Sequence, residues 1–216
     1  MKKIAVILAG CGRMDGSEIH ESVLTLLSIA ECNAEYKCFS LDKEQDHVTN
    51  HLNNETTSES RNMLIESARI ARGDVANLET IDINEYDALI IPGGNGTAYN
   101  LFDLATKGQN YSVNPVVANI CRKFTENKKP VGFICIAPAM IPAIYSFPVN
   151  LSIGTDKDTA ELLTSRGAIH HNCKVDEICI DEAYKIITTP AYMLANNILE
   201  AYTGINKLVK KVVELS

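Results

Sequence analysis

The sequence predicts an α/β domain built on a mostly parallel sheet with helices on both faces. Three observations carry that prediction. Strand-like and helix-like patterns alternate along the whole chain. The runs Ile4–Ala9 and Ala88–Ile91 are continuously apolar, as strands covered on both faces are. The β-prone run Val131–Ile134 ends on Cys135 and turns at once into a helix start. At 216 residues and 46% hydrophobic composition the chain suits one domain, 1–216, with a sizeable core. It carries no internal repeat, low-complexity tract or flexible linker.

The elements follow in order. Ile4–Ala9 is the first strand, and Ser17 is a candidate cap for a helix with Ile19, Val23, Leu26, Leu27 and Ala30 at helical spacing. Tyr36–Leu41 is the second strand, followed by a polar loop holding His47 and His51. Ser58 starts a helix that runs through Arg72 and stops at Gly73. The strand Ala88–Ile91 ends at Pro92-Gly93-Gly94, and helices are predicted over Thr97–Thr106 and Val113–Asn127. After Cys135, Pro138 fits a first helical turn, where its missing N–H is not needed. A short strand near Leu151–Ile153 and a helix over Lys157–Arg166, capped by Thr155 or Asp156, come next. Glu177–Ile180 and Lys185–Thr188 have no helix between them and read as an antiparallel pair, before a final amphipathic helix from Ala195 to about Val213.

Composition excludes some functions. A net charge of −7 and a pI near 5.3 argue against nucleic-acid or anionic-membrane partners and leave small molecules or protein subunits. The seven cysteines form no C-x-x-C pair, so they suggest neither a disulfide framework nor a zinc ribbon, and a reducing cytosol suits them best. Lys2-Lys3, an apolar run and Leu8-Ala9-Gly10-Cys11 imitate a lipoprotein signal. The apolar run is shorter than the about 7–15 residues of a signal core, and it reads as a strand.

Ligands of parallel α/β sheets bind outside the carboxyl ends of the strands, which puts Gly10–Glu18, Pro92–Gly96, Cys135–Pro138 and Thr188–Tyr192 at one edge. A thiol at the elbow, facing a helix start, is placed for nucleophilic chemistry with a lowered pKa; the plainer alternative is a buried strand-end cysteine. The Gly93-Gly94-Asn95-Gly96 loop can aim N–H groups at a ligand, so Gly94 or Asn95 together with the amide of Ile136 are candidate oxyanion donors. Glu18 is the candidate general acid or base, with Glu21 one turn on competing for that role. None of the five histidines is followed two positions later by an acidic residue. His20 is expected to face away from Glu18.

The segments KKIAVILAGCGRMDGSEIHESV, ALIIPGGNGTAYNL, GFICIAPAM, IGTDKDTAELL and IITTPAYMLANNI, spread over the whole chain, resemble the ElbB family, also called enhancing lycopene biosynthesis proteins. That family lies in the PfpI-type branch of the class I glutamine-amidotransferase-like superfamily. The resemblance implies a flavodoxin-like fold, Cys135 at a nucleophile elbow with Glu18 beside it, and a homodimer. It also implies a cofactor-independent glyoxalase activity that turns glyoxal into glycolate without metal or glutathione. The elbow lacks the flanking glycines of true amidotransferases, and no downstream H-x-E completes a Cys-His-Glu triad. Two rivals stand beside the enzyme reading: a redox-sensing or regulatory protein of isoprenoid metabolism, and a glutaminase-like subunit. The helix Ser58–Arg72, with Met63, Ile65 and Ile70, is the candidate dimer face, and packing on the sheet of its own chain is the plainer account of most of those side chains.

Overall fold

The computed structural model describes residues 1–216. The chain forms, in order, β1 (Lys3–Ile7), α1 (Ile19–Glu31), β2 (Glu35–Ser40), β3 (Val48–Asn50), β4 (Glu55–Thr57), α2 (Met63–Ile70), β5 (Val75–Asn77) and β6 (Ala88–Ile91). Then come α3 (Thr97–Asn100), α4 (Leu104–Lys107), α5 (Pro115–Glu126), β7 (Val131–Ile134), α6 (Ile141–Ile144), β8 (Asn150–Leu151) and α7 (Lys157–Ser165). The chain closes with β9 (Ile169–His170), β10 (Cys179–Asp181), β11 (Ile186–Thr189) and α8 (Ile198–Leu215).

The central sheet has seven strands in the order β10-β11-β7-β6-β1-β2-β5. All neighbours are parallel except β10 against β11, which gives the predicted flavodoxin-like arrangement. Continuous apolar strands are required because both faces are covered. Along β1 and its extension, Ala5, Ile7 and Ala9 join one core with α5 and Met140, while Ile4, Val6 and Leu8 join a second core under α1 and α8. Gly132 on β7 lets α8 approach closely, since a Cβ there would stand 2.9 Å from Leu208 Cδ2.

Several predicted boundaries move for physical reasons. Ser17 does not cap α1: its Oγ is buried and accepts the Ala9 N–H at 2.8 Å, and Glu18 is the capping residue. The predicted Thr97–Thr106 helix is split into α3 and α4, because Phe102 pairs with Val113 and the Asp103 carboxylate takes the Ser112 N–H at 2.5 Å. The polar loop after β2 contains the β3–β4 hairpin, and β5 adds an edge strand that no apolar run announces. The segment Ser58–Arg72 is helical only over α2; Met63 and Ile70 pack into the protein's own cores, leaving Ile65 exposed. Most of its apolar side chains thus pack on their own chain, the alternative to a dimer face. No helix is long and apolar enough to cross a membrane.

Candidate active site

The site forms where the exits of β1, β6, β7 and β11 meet. Two glycine-bearing loops interlock there. A Cβ on Gly96 would lie 1.8 Å from Gly16 N, and one on Gly94 (φ +110°) would lie 2.6 Å from Glu18 N. The backbones therefore pack at distances that side chains forbid. The β1 loop is further fixed by Asn100, whose Nδ2 donates to Ala9 O at 2.9 Å and Asp15 O at 2.8 Å.

Cys135 follows β7 directly and donates its N–H to Thr189 O at 2.9 Å, extending the β7–β11 ladder by one bond. It then takes φ 61°, a left-handed conformation that costs a non-glycine residue about 1–2 kcal/mol. Such a strained strand-to-helix turn is the geometry of a nucleophile elbow. The N–H groups of Gly94 and Ile136 both act on the sulfur. Asn95 points elsewhere: it is exposed, and its Nδ2 lies 3.6 Å from Met14 Sδ.

The carboxylate that meets this thiol is Glu21, not Glu18. Glu18 turns its side chain along the helix end, where Oε2 accepts the Glu21 N–H at 2.7 Å, while its own N–H goes to Gly93 O at 2.9 Å. Glu18 and Glu21 have the spacing of a capping box, in which the second carboxylate would reach back to the first backbone N–H. Gly93 O has taken that N–H, and Glu21 is free to point inward. Its Oε2 accepts the Gly93 N–H at 2.9 Å, its Oε1 accepts the Tyr192 N–H at 3.2 Å, and its charge acts on the Cys135 thiol. The missed signal in the sequence is the Glu-x-x-Glu spacing itself. Gly93 holds the pair together, because a Cβ there would lie 2.6 Å from Cys135 Cβ and 2.9 Å from Glu21 Oε2.

Burial decides the electrostatics. Glu21 is fully buried, and desolvation, with the nearby charge of Glu18 second, raises its pKa from 4.5 to about 7. Burial and then the Glu21 charge push the Cys135 thiol well above its usual value, against the two N–H groups that favour the thiolate. The expectation of a lowered pKa is therefore corrected: Cys135 is only 7% exposed. The turn that follows is a short 3-10 segment, Ala137–Met140, leading into the four-residue α6, and so short an array of peptide dipoles is a weak source of positive potential.

Tyr192 reaches Glu21 because Ala191, just past β11, also has a positive φ of 43°. His20 is exposed at the surface. Its Nδ1 shares a 2.8 Å hydrogen bond with Tyr192 Oη at the surface above Glu21. None of the five histidines is among the groups acting on the thiol; His51, His170 and His171 are held by other partners. No group of three or more His, Cys, Asp or Glu side chains is arranged to hold a metal ion.

The chain is 38% identical to the rat (Rattus norvegicus) ES1 protein homolog, mitochondrial, across 99% of this chain and 84% of that protein. The chain belongs to the ES1 family of glutamine amidotransferase-like class 1 domain proteins. The human (Homo sapiens) glutamine amidotransferase-like class 1 domain-containing protein 3, mitochondrial, is 36% identical over 99% of this chain and 83% of its own. A crystal structure from Ehrlichia chaffeensis, described as an isoprenoid biosynthesis protein with an amidotransferase-like domain, superposes with a TM-score of 0.92. It is 38% identical and covers 100% of this chain and 99% of its own. No protein-family model matches the chain. Membership of the ES1 family thus rests on full-length relatives.

Proposed function

We propose that the protein is a cofactor-independent glyoxalase that converts glyoxal to glycolate at Cys135, a reading supported by the resemblance of the motifs quoted above to the ElbB proteins. The observation that carries the reading is the closed pair of Cys135 and Glu21, a thiol and a carboxyl with a pKa of about 7, under two backbone N–H donors. A base that titrates near neutrality can both take and return a proton.

The sulfur attacks one aldehyde carbon while Glu21 takes the thiol proton and returns it to the aldehyde oxygen, giving a hemithioacetal. The N–H groups of Gly94 and Ile136, which act on the sulfur, are the donors for the oxyanion that grows beside it. Glu21 then removes the C–H proton of the attacked carbon, electrons flow to the neighbouring carbonyl, and an enediol forms. Returning the proton to the second carbon leaves a thioester on the first and an alcohol on the second. Water cleaves the thioester, releasing glycolate and the thiol. The oxidation of one carbon is matched by reduction of the other, so no external oxidant enters.

The absence of a histidine beside the thiol argues against a triad hydrolysing glutamine, and the burial of Cys135 argues against an exposed redox sensor. Seven free thiols suit a reducing compartment, and we place the protein in the cytosol. Assembly as a homodimer belongs to the same proposal; light scattering reading a single 23.7 kDa species would contradict it. The activity itself is tested by adding glyoxal to metal-stripped protein and following glycolate by proton NMR. The native chain is expected to form glycolate and Cys135→Ser to form none. A folded native protein that forms none would overturn the reading.

A further inference from the structure

A groove that turnover of glyoxal does not need is lined by Ile136 and Asn95, the residues that follow Cys135 and Gly94. Met14, Tyr99 and Leu104 also line it. His47 closes the end, its ring edge-on to Tyr99 with centroids 4.5 Å apart. The volume is about 330 Å³, within the range of about 300–1,000 Å³ usual for small-molecule sites and far beyond what a two-carbon dialdehyde fills. No lysine, arginine or carboxylate lines it, and His47 turns its Nδ1 to Asp46 Oδ2 at 3.1 Å. A phosphate or carboxylate would find no fixed cation there, whereas an apolar group would be buried against Tyr99, Leu104 and Ile136.

We propose that this groove holds the substituent of a larger 2-oxoaldehyde, R–CO–CHO with R uncharged and aromatic or branched aliphatic, while Cys135 attacks the aldehyde carbon. The proposal rests on the glyoxalase reading and names its substrate class. The overall change is R–CO–CHO plus water to R–CH(OH)–COOH. The aldehyde carbon is oxidised to the acid level, and the ketone carbon gains the electron pair together with the proton that Glu21 relays.

The test compares phenylglyoxal with glyoxal by initial rates in the native protein and in Ala105→Trp, a substitution that fills the groove from its open side. A well-filled apolar pocket discriminates by about tenfold or more. The native kcat/KM ratio of phenylglyoxal to glyoxal is expected at about 10 or above, falling at least about tenfold in Ala105→Trp. Calorimetric titration with 2-hydroxyacetophenone, which lacks the reactive aldehyde, is expected to show binding to the native protein that the variant loses. A native ratio near or below one, or a ratio that filling the groove leaves unmoved, would overturn the proposal. If neither dicarbonyl is turned over, the glyoxalase reading falls. The titration then decides for the groove: binding lost in Ala105→Trp supports an aryl-ketone site, and no binding overturns it.

Discussion

Glu21 and Cys135 come from elements more than a hundred residues apart and meet inside the protein, with the backbone of Gly93 pressed against both. Burial and the Glu21 charge hold the proton on the thiol, while burial and then the Glu18 charge bring Glu21 to about 7, so around neutral pH Glu21 titrates beside a protonated thiol. The site is a coupled acid–base unit rather than a free thiolate.

The first consequence concerns the pH profile. Glu21 must be ionised to act as base, so kcat/KM for glyoxal is expected to rise with pH through about 7. Glu18→Gln keeps the helix cap, because the amide oxygen can still accept the Glu21 N–H, but removes the charge that is the second cause of the Glu21 shift. The acidic limb should move to lower pH in that variant. A limb that stays in place would show that Glu21 is not the titrating group.

Stability should follow the same group. Between pH 4.5 and about 7 the folded chain holds a proton on Glu21 that the unfolded chain has released. The associated stability is fully present below 4.5 and is lost as pH rises through about 7, an effect on the order of 3 kcal/mol. Glu21→Gln removes this window, so the native melting temperature should fall more steeply than the variant's between pH 5 and 7.5. Parallel curves would contradict the shifted pKa.

The fold was largely legible because strands buried on both faces have to be continuously apolar, as β1, β6 and β7 are. The hairpin β3–β4 and the edge strand β5 carry exposed or half-buried polar residues, and no hydrophobic period marks them. Cys135, Gly94 and Ile136 could be placed from the strand-to-helix turn and the glycine loop. The choice between Glu18 and Glu21 could not, because both sit in the same first turn and the capture of the Glu18 N–H by Gly93 O is a tertiary contact. Burial of the thiol was equally invisible, since it depends on how the loops from β1 and β6 close over the elbow.

Gly93→Ala tests that closure. A methyl group there would displace either Cys135 or Glu21, and misplacement by an ångström can cost on the order of 10²-fold in rate. We expect that loss in kcat/KM with a native circular dichroism spectrum. Unchanged turnover would show that the pair tolerates separation.

Thiol reactivity should follow exposure rather than role. A bulky maleimide at pH 7.5 is expected to label the half-buried Cys11 and Cys32 before Cys135, and all seven only in denaturant. Peptide mapping after brief exposure gives the order. Cys135 labelling first would mean a more open elbow.

The central claim is that Cys135 and Glu21, not Cys135 and Glu18, carry the chemistry. Glycolate formation from glyoxal at pH 8 by Cys135→Ser, Glu21→Gln and Glu18→Gln, measured side by side with the native protein, tests it most directly. The account predicts no turnover in Cys135→Ser, a loss of roughly 10²–10⁴-fold in Glu21→Gln, and turnover within a few fold of native in Glu18→Gln. Collapse of Glu18→Gln with Glu21→Gln intact, or an active Cys135→Ser, would contradict it.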